Sequence, residues 1–266
     1  MPKQKTESSK VLLTLLILLL IIGFGSFIYL WQQVSSVKNT KLTLLTEEYP
    51  PITYEKDGKI TGIATEVVEE IMKKLDVNYD IKLLKWSDAY AKALDNPNTV
   101  LFSTERTKER EHLFNWVGPL GKNTTYFYAP ADSTLQINNL ADAKKAGNIA
   151  TCSSWFTEQY LKDQGFNNLQ SSIDPKKNIT QLINKDADLS IFTDMTVGNL
   201  AQSAGYSLTD IKPIYKVMET QFYIAMSKGT STAIVRDWQK AFDKIKNDGT
   251  LAKIYQQYVP YINNPY

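Results

Sequence analysis

Arginine is scarce in this chain. Only Arg106, Arg110 and Arg236 stand among 30 basic residues, and two of the three lie four residues apart. A guanidinium presents a planar fork of N–H donors that matches a carboxylate, and burial in a cleft strengthens that pairing. Thr107 is placed to cap a short helix carrying Arg110 in its first turn, where the macrodipole disfavours a cation. Helix stabilisation therefore explains Arg110 poorly. The bland alternative is a solvated pair with Glu105, Glu109 or Glu111. Arg106, one helical turn earlier, either faces the same cleft or serves the fold.

Asp194 is the second candidate. It follows the apolar pair Ile191 and Phe192 at a strand end, where a buried carboxylate needs a partner. Capping the next helix is its alternative role, and the two do not exclude each other. Ser153, Ser154 and Trp155 precede a helix whose free N–H groups can hold an anionic group. Cys152 is the only cysteine and His112 the only histidine. That excludes an intramolecular disulfide framework and a CxxC metal site, and leaves His-based metal or triad chemistry without residues. Cys152 reads as a buried small apolar residue and His112 as structural. No cofactor is implied.

Positioning these residues requires alternating strands and helices. Lys41–Thr46, Tyr79–Leu84 and Thr99–Ser103 read as strands, and Gly62–Leu75 and Trp86–Leu94 as amphipathic or short helices. After Pro130 a second series follows. It has helices near 140–146, 156–164 and 179–185, strands at 148–151, 188–192 and 221–226, then closing helices at 232–246 and 250–258. Two α/β lobes in one chain are expected.

The start of the chain differs from the rest. Lys3, Lys5 and Lys10 against Glu7 account for the whole net charge of +2. A neutral remainder gives no electrostatic case for nucleic acid. Val11–Trp31 is uncharged and apolar, and as a helix would span roughly 30 Å, the hydrocarbon thickness of a bilayer. Residues 1–10 then form a cytoplasmic tail, and everything after Trp31 lies outside. Residues 11–31 read as a transmembrane anchor, with a cleaved signal sequence as the alternative. Either one exports the domain.

Several motifs occur in a telling order: Tyr49-Pro-Pro-Ile, Lys59-Ile-Thr-Gly-Ile, Trp86, Thr107-Lys-Glu-Arg110 followed by Phe114 and Gly118-Pro119, Asp188–Asp194, and Ala241–Tyr258. In that order they resemble the polar-amino-acid family (family 3) of bacterial extracellular solute-binding proteins, receptors of ABC importers. The resemblance implies an α/β, two-lobed periplasmic-binding-protein type II fold with two hinge crossings, here preceded by an N-terminal transmembrane helix. It puts residues 41–122 plus 222–266 in lobe one and 123–221 in lobe two, with crossings near 121–126 and 216–221. It makes Arg110 the partner of a ligand carboxylate and Asp194 the partner of an ammonium. Tyr49 and Trp86 become apolar walls, or else core, and Ser103 offers a hydroxyl. Arg106 and Ser154 complete the candidate set. Glu105 stands where the family carries a small residue, so a simple α-amino-acid pose is in doubt.

The expected function is extracytoplasmic capture of a small amino-acid-like ligand, or a related carboxylate, by hinge closure. The expected partners are an ABC permease and, through the N-terminal helix, the membrane; a monomer is expected and nucleic acid is not. A dehydratase-like enzyme on the same fold, using Glu105 or His112, is the first alternative. A ligand-sensing module for a membrane partner is the second.

Overall fold

The first strand forms where the sequence runs TLLT: β1 (Thr43–Thr46) buries Leu44 and Leu45. The computed structural model describes residues 15, 17–25 and 40–259. After Tyr49-Pro50-Pro51, a hairpin of β2 (Tyr54–Lys56) and β3 (Lys59–Thr61) turns at Asp57-Gly58. Gly62 is required at the start of α1 (Ile63–Leu75). Its φ is 115°, and a Cβ there would stand 2.6 Å from the Ile52 carbonyl oxygen. This close approach lets the N–H groups of Ile63 and Ala64 bond the carbonyls of Pro51 and Ile52. The helix start thus fixes the loop that carries Tyr49.

The order continues with β4 (Ile81–Leu83), α2 (Trp86–Asp95), β5 (Thr99–Glu105) and the long β6 (Phe114–Pro130). Next come α3 (Leu140–Lys145), β7 (Ile149–Cys152), α4 (Phe156–Asp163), β8 (Leu169–Ser172) and α5 (Pro175–Ile183). Then follow β9 (Leu189–Thr193), α6 (Asp194–Ser203), β10 (Ile211–Ser227), α7 (Thr232–Asn247) and α8 (Thr250–Tyr258). The main sheet runs β4-β1-β5-β10-β6-β9-β7-β8. Its flanks are parallel, as helical crossovers demand. Its centre is antiparallel: β6 and β10 pair from Phe114↔Ser227 to Pro130↔Ile211.

That central pair joins two lobes. At one end β10 pairs with β5 through Phe222–Met226, and at the other β6 pairs with β9 through Thr125–Tyr128. Each lobe has its own core. In the first, Leu44, Val67, Ile71, Phe102, Trp238 and Phe242 are buried. In the second, Phe127, Ile149, Leu161, Leu189 and Ile191 form one cluster.

Three expectations need correction. The segment from Thr107 to Arg110 is a turn, closed by the Arg110 N–H on the Thr107 carbonyl at 3.2 Å, so no helix dipole acts on Arg110. The helix expected at 179–185 begins earlier, at Pro175, because the Asp174 side chain accepts from the Lys176 N–H. The strand expected at 221–226 is the second half of β10 only. At the other end of the chain, residues 17–25 are helical, with Leu20, Ile21 and Phe24 exposed. The rest of the run 11–31, apart from Leu15, lies outside the described residues, as do residues 1–10. Among the described residues no helix is long and apolar enough to cross a membrane.

Candidate functional site

Arg110 is buried, with 1% of its surface exposed. The turn after β5 drops its guanidinium over the rings of Trp86 and Tyr90, each 5.0 Å from the ring centroid. Both aromatics belong to α2. From the second lobe, Gln159 Oε1 accepts from its Nε at 3.1 Å and the Ser154 carbonyl from its Nη2 at 3.3 Å. Nη1 is buried and has no hydrogen-bond partner in the protein. Burial lowers the pKa of Arg110, while Tyr90, Glu105 and Glu47 work against that shift.

Two buried carboxylates share this field. Glu105, at the end of β5, accepts from Asn123 Nδ2 at 3.0 Å. Burial pushes its pKa up to about 7, against the pull of Arg110 and of Asn123. Glu47, just past β1, accepts from the Trp155 indole at 3.2 Å. Burial and the charge of Glu105 raise it well above the ordinary carboxylate value, against the pull of Trp155 and Arg110. The Ser103 hydroxyl, beside Glu105 in sequence, is buried without a partner.

The lobes meet directly around this cluster. Trp86 Nε1 donates to the Ser154 carbonyl at 2.8 Å, and the Tyr49 hydroxyl lies 2.9 Å from Thr193 Oγ1. The Tyr49 ring packs edge-on against Trp155, centroids 5.1 Å apart. Ser154 adopts a left-handed φ of 64°. Its own amide is held by Glu158 Oε2 at 2.9 Å, and Glu158 Oε1 accepts from Thr151 at 3.2 Å. Glu158 thus holds the loop that leads into α4, whose N-cap residue Trp155 makes no side-chain cap hydrogen bond. The Ser154 carbonyl is turned toward lobe one, where it accepts from Trp86 and Arg110. A cavity of about 590 Å³ opens between the lobes beside the cluster, lined by Glu47, Trp86, Trp155, Cys152 and Leu200.

Tyr49, Trp86, Arg110 and Ser154 thus lie at one junction, and Ser103 is buried on β5 two residues before Glu105. Two candidates do not join them. Arg106 turns outward, where Nε and Nη2 grip Glu111 at 2.7 and 2.6 Å and the guanidinium lies over Trp116 and Tyr223. Asp194 is exposed at the first residue of α6, its Oδ1 accepting from the Thr124 N–H at 3.0 Å. His112 is exposed, and Cys152 is buried with its thiol pKa raised, first by burial. Glu47 and Glu158 went unread in the sequence. Glu47 shares its local pattern with the exposed Glu48, and only its place at the end of a buried strand sets it apart.

The sequence model of the bacterial extracellular solute-binding proteins, family 3, matches residues 42–261. The chain belongs to that family. It is a solute-binding protein of an extracytoplasmic class. Among curated relatives it is 26% identical over 221 residues to the probable amino-acid-binding protein YxeM of Bacillus subtilis, covering 78% of this chain and 79% of the relative. It is 25% identical over 238 residues to the L-cystine-binding protein TcyA of the same organism, covering 86% and 84%. A solved histidine kinase sensor domain with similarity to periplasmic binding proteins superposes with a TM-score of 0.75 at 16% identity, covering 85% of this chain and 99% of that one. That likeness is one of fold.

Proposed function

We propose that this solute-binding protein captures a small amino-acid-like ligand at the Arg110 junction by hinge closure and hands it to an ABC permease. One observation carries the reading: a guanidinium buried over two adjoining aromatic rings, with its Nη1 unpartnered, at the meeting of two lobes. A ligand carboxylate completes its hydrogen bonding. The binding roles of Tyr49, Trp86, Ser103 and Ser154 are part of the same proposal. Contacts from both lobes make closure and binding one event, because the closed state gains contacts that the open one lacks. The relatives' names, amino-acid-binding and L-cystine-binding, support the ligand class.

In this reading the hinge crossings lie within β6 and β10, with 41–122 plus 222–266 as one lobe and 123–221 as the other; the length of both strands supports it. Residues 11–31 form the membrane anchor, with 1–10 on the cytoplasmic side. The apolar run and the exposed apolar helix at 17–25 support this. Alkaline extraction of membranes tests the anchor: the chain should stay in the pellet, and release into the supernatant contradicts it.

Thermal melting of the full chain in detergent, against amino acids, dicarboxylates and short peptides, tests the ligand class. A micromolar ligand at millimolar concentration adds roughly 4 kcal/mol to stability. The reading requires a shift with an amino acid in the wild type and none in Arg110→Ala. A panel without any shift overturns it.

A further inference from the structure

The charges around Arg110 do not balance. Arg110 brings one positive charge, whereas Glu47 and Glu105, at 8% and 4% exposure, bring two negative ones once both are ionised. Among the described residues neither carboxylate forms an ion pair. Their side-chain partners are neutral donors, the Trp155 indole on Glu47 and the Asn123 amide on Glu105. Arg110 spends its bonds elsewhere, on Gln159 and on the Ser154 carbonyl. Buried carboxylates without cations are costly, and the cost is relieved by a counter-charge or by a proton.

A ligand with one carboxylate and one ammonium leaves that excess in place. Its carboxylate cancels Arg110 and its ammonium cancels one glutamate. A second cationic centre on the ligand removes the remainder. The geometry gives it room, because Glu47 lines both the charged cluster and the cavity of about 590 Å³ between the lobes. Asp194, exposed and accepting from the Thr124 N–H, stands apart from this cluster and leaves the ligand's ammonium to the glutamates. Two further buried atoms lack partners here, Arg110 Nη1 and Ser103 Oγ, as a site for a charged ligand head requires.

We propose that Glu105 and Glu47 are the specificity determinants of this cleft and select a ligand with one carboxylate and two cationic centres. The proposal rests on the reading of the cleft as an amino-acid site. The raised pKa of both carboxylates agrees with two acids that have no cation of their own.

Isothermal titration of the full chain in detergent near neutral pH separates the possibilities. The probes are two matched pairs, L-lysine against L-norleucine and L-arginine against L-citrulline. In the wild type at least one cationic member is expected to bind ten-fold or more tightly than its neutral mate. Glu47→Gln and Glu105→Gln keep shape and an acceptor oxygen. Each is expected to cost that ligand ten-fold or more and to shrink the gap within the pair. Neutral members binding as well as cationic ones, or glutamine variants that leave the gap unchanged, overturn the proposal and leave the amino-acid reading standing. Binding of none of the four, with a shift from another amino acid in the melting panel, also overturns the proposal alone. Silence in both assays removes the amino-acid reading with it.

Discussion

Arg110 and Ser154 meet across the cleft, guanidinium Nη2 to backbone oxygen at 3.3 Å. The same oxygen accepts from Trp86 Nε1 at 2.8 Å and from Gln159 Nε2 at 3.3 Å. One carbonyl, turned toward lobe one by a left-handed residue, thus gathers donors from both lobes. Closure is written into this point.

Removing the guanidinium should be costly even without ligand. Arg110→Ala leaves Glu105 and Glu47 buried together with no positive charge between them. It also removes the hydrogen bonds to Gln159 and the Ser154 carbonyl, and bonds from a charged group are worth about 1.5–3 kcal/mol each. Urea unfolding should show a loss of that order, and an unchanged midpoint would count against the burial described. Arg110→Lys keeps the charge but not the fork, so it should recover stability better than affinity.

Stability should fall as pH rises through the weakly acid range. Glu105 keeps its proton up to about 7 in the folded chain, against an ordinary value of 4.5. Between those values the folded state binds more protons than the unfolded one, so unfolding becomes easier with rising pH. Glu47 acts in the same direction, Arg110 opposes both, and the Tyr49 hydroxyl feels the same field. Glu105→Gln should make the decline shallower. Melting curves from pH 4.5 to 7.5 decide it, and a rising wild-type profile contradicts the assignment.

Glu158 holds the loop that presents the Ser154 carbonyl. Glu158→Ala strips the partner from the Ser154 N–H and the buried Thr151 hydroxyl, and unmet buried donors cost about 1–3 kcal/mol each. Chemical denaturation should show a loss within or above that range. A variant as stable as the wild type would mean that the carboxylate does not hold the loop.

Gly121 sits on β6 where the strand passes α8. A Cβ there would stand 1.9 Å from the Tyr255 hydroxyl, which donates to the Leu120 carbonyl at 2.8 Å. Gly121→Ala must displace that ring, with an overpacking cost of about 1–3 kcal/mol. Denaturation midpoints measure it, and a neutral result removes the close approach.

Much of this architecture was legible because the signals are local. The 3.6-residue stripe of Ile63, Val67, Val68 and Ile71, and the Asp248-Gly249 break between the last two helices, need no tertiary knowledge. The first half of β10 was not legible: Ile211–Thr220 carries Pro213, Lys212, Lys216 and Glu219, and its pairing with β6 alone makes it a strand. Thr107 read as a helix cap, yet residues 106–113 must carry the chain from the end of β5 back to the start of β6, which runs the same way on the far side of β10, and they do so in turns. In the site, Arg110 was marked by residue type and spacing, and Tyr49 and Trp86 by the family resemblance. Glu47 and Glu158 were not, because a glutamate's burial is decided by what packs over it from elsewhere in the fold.

The central claim is that a ligand at Arg110 closes the lobes. Spin labels on Asp88→Cys and Lys177→Cys, both exposed and on opposite lobes, report the separation by pulsed dipolar spectroscopy, with the buried Cys152 as the sole other thiol. A saturating amino-acid ligand should collapse a broad distribution into one short distance, and Arg110→Ala should abolish the change. Identical distributions with and without a ligand shown to bind would contradict closure as the mechanism.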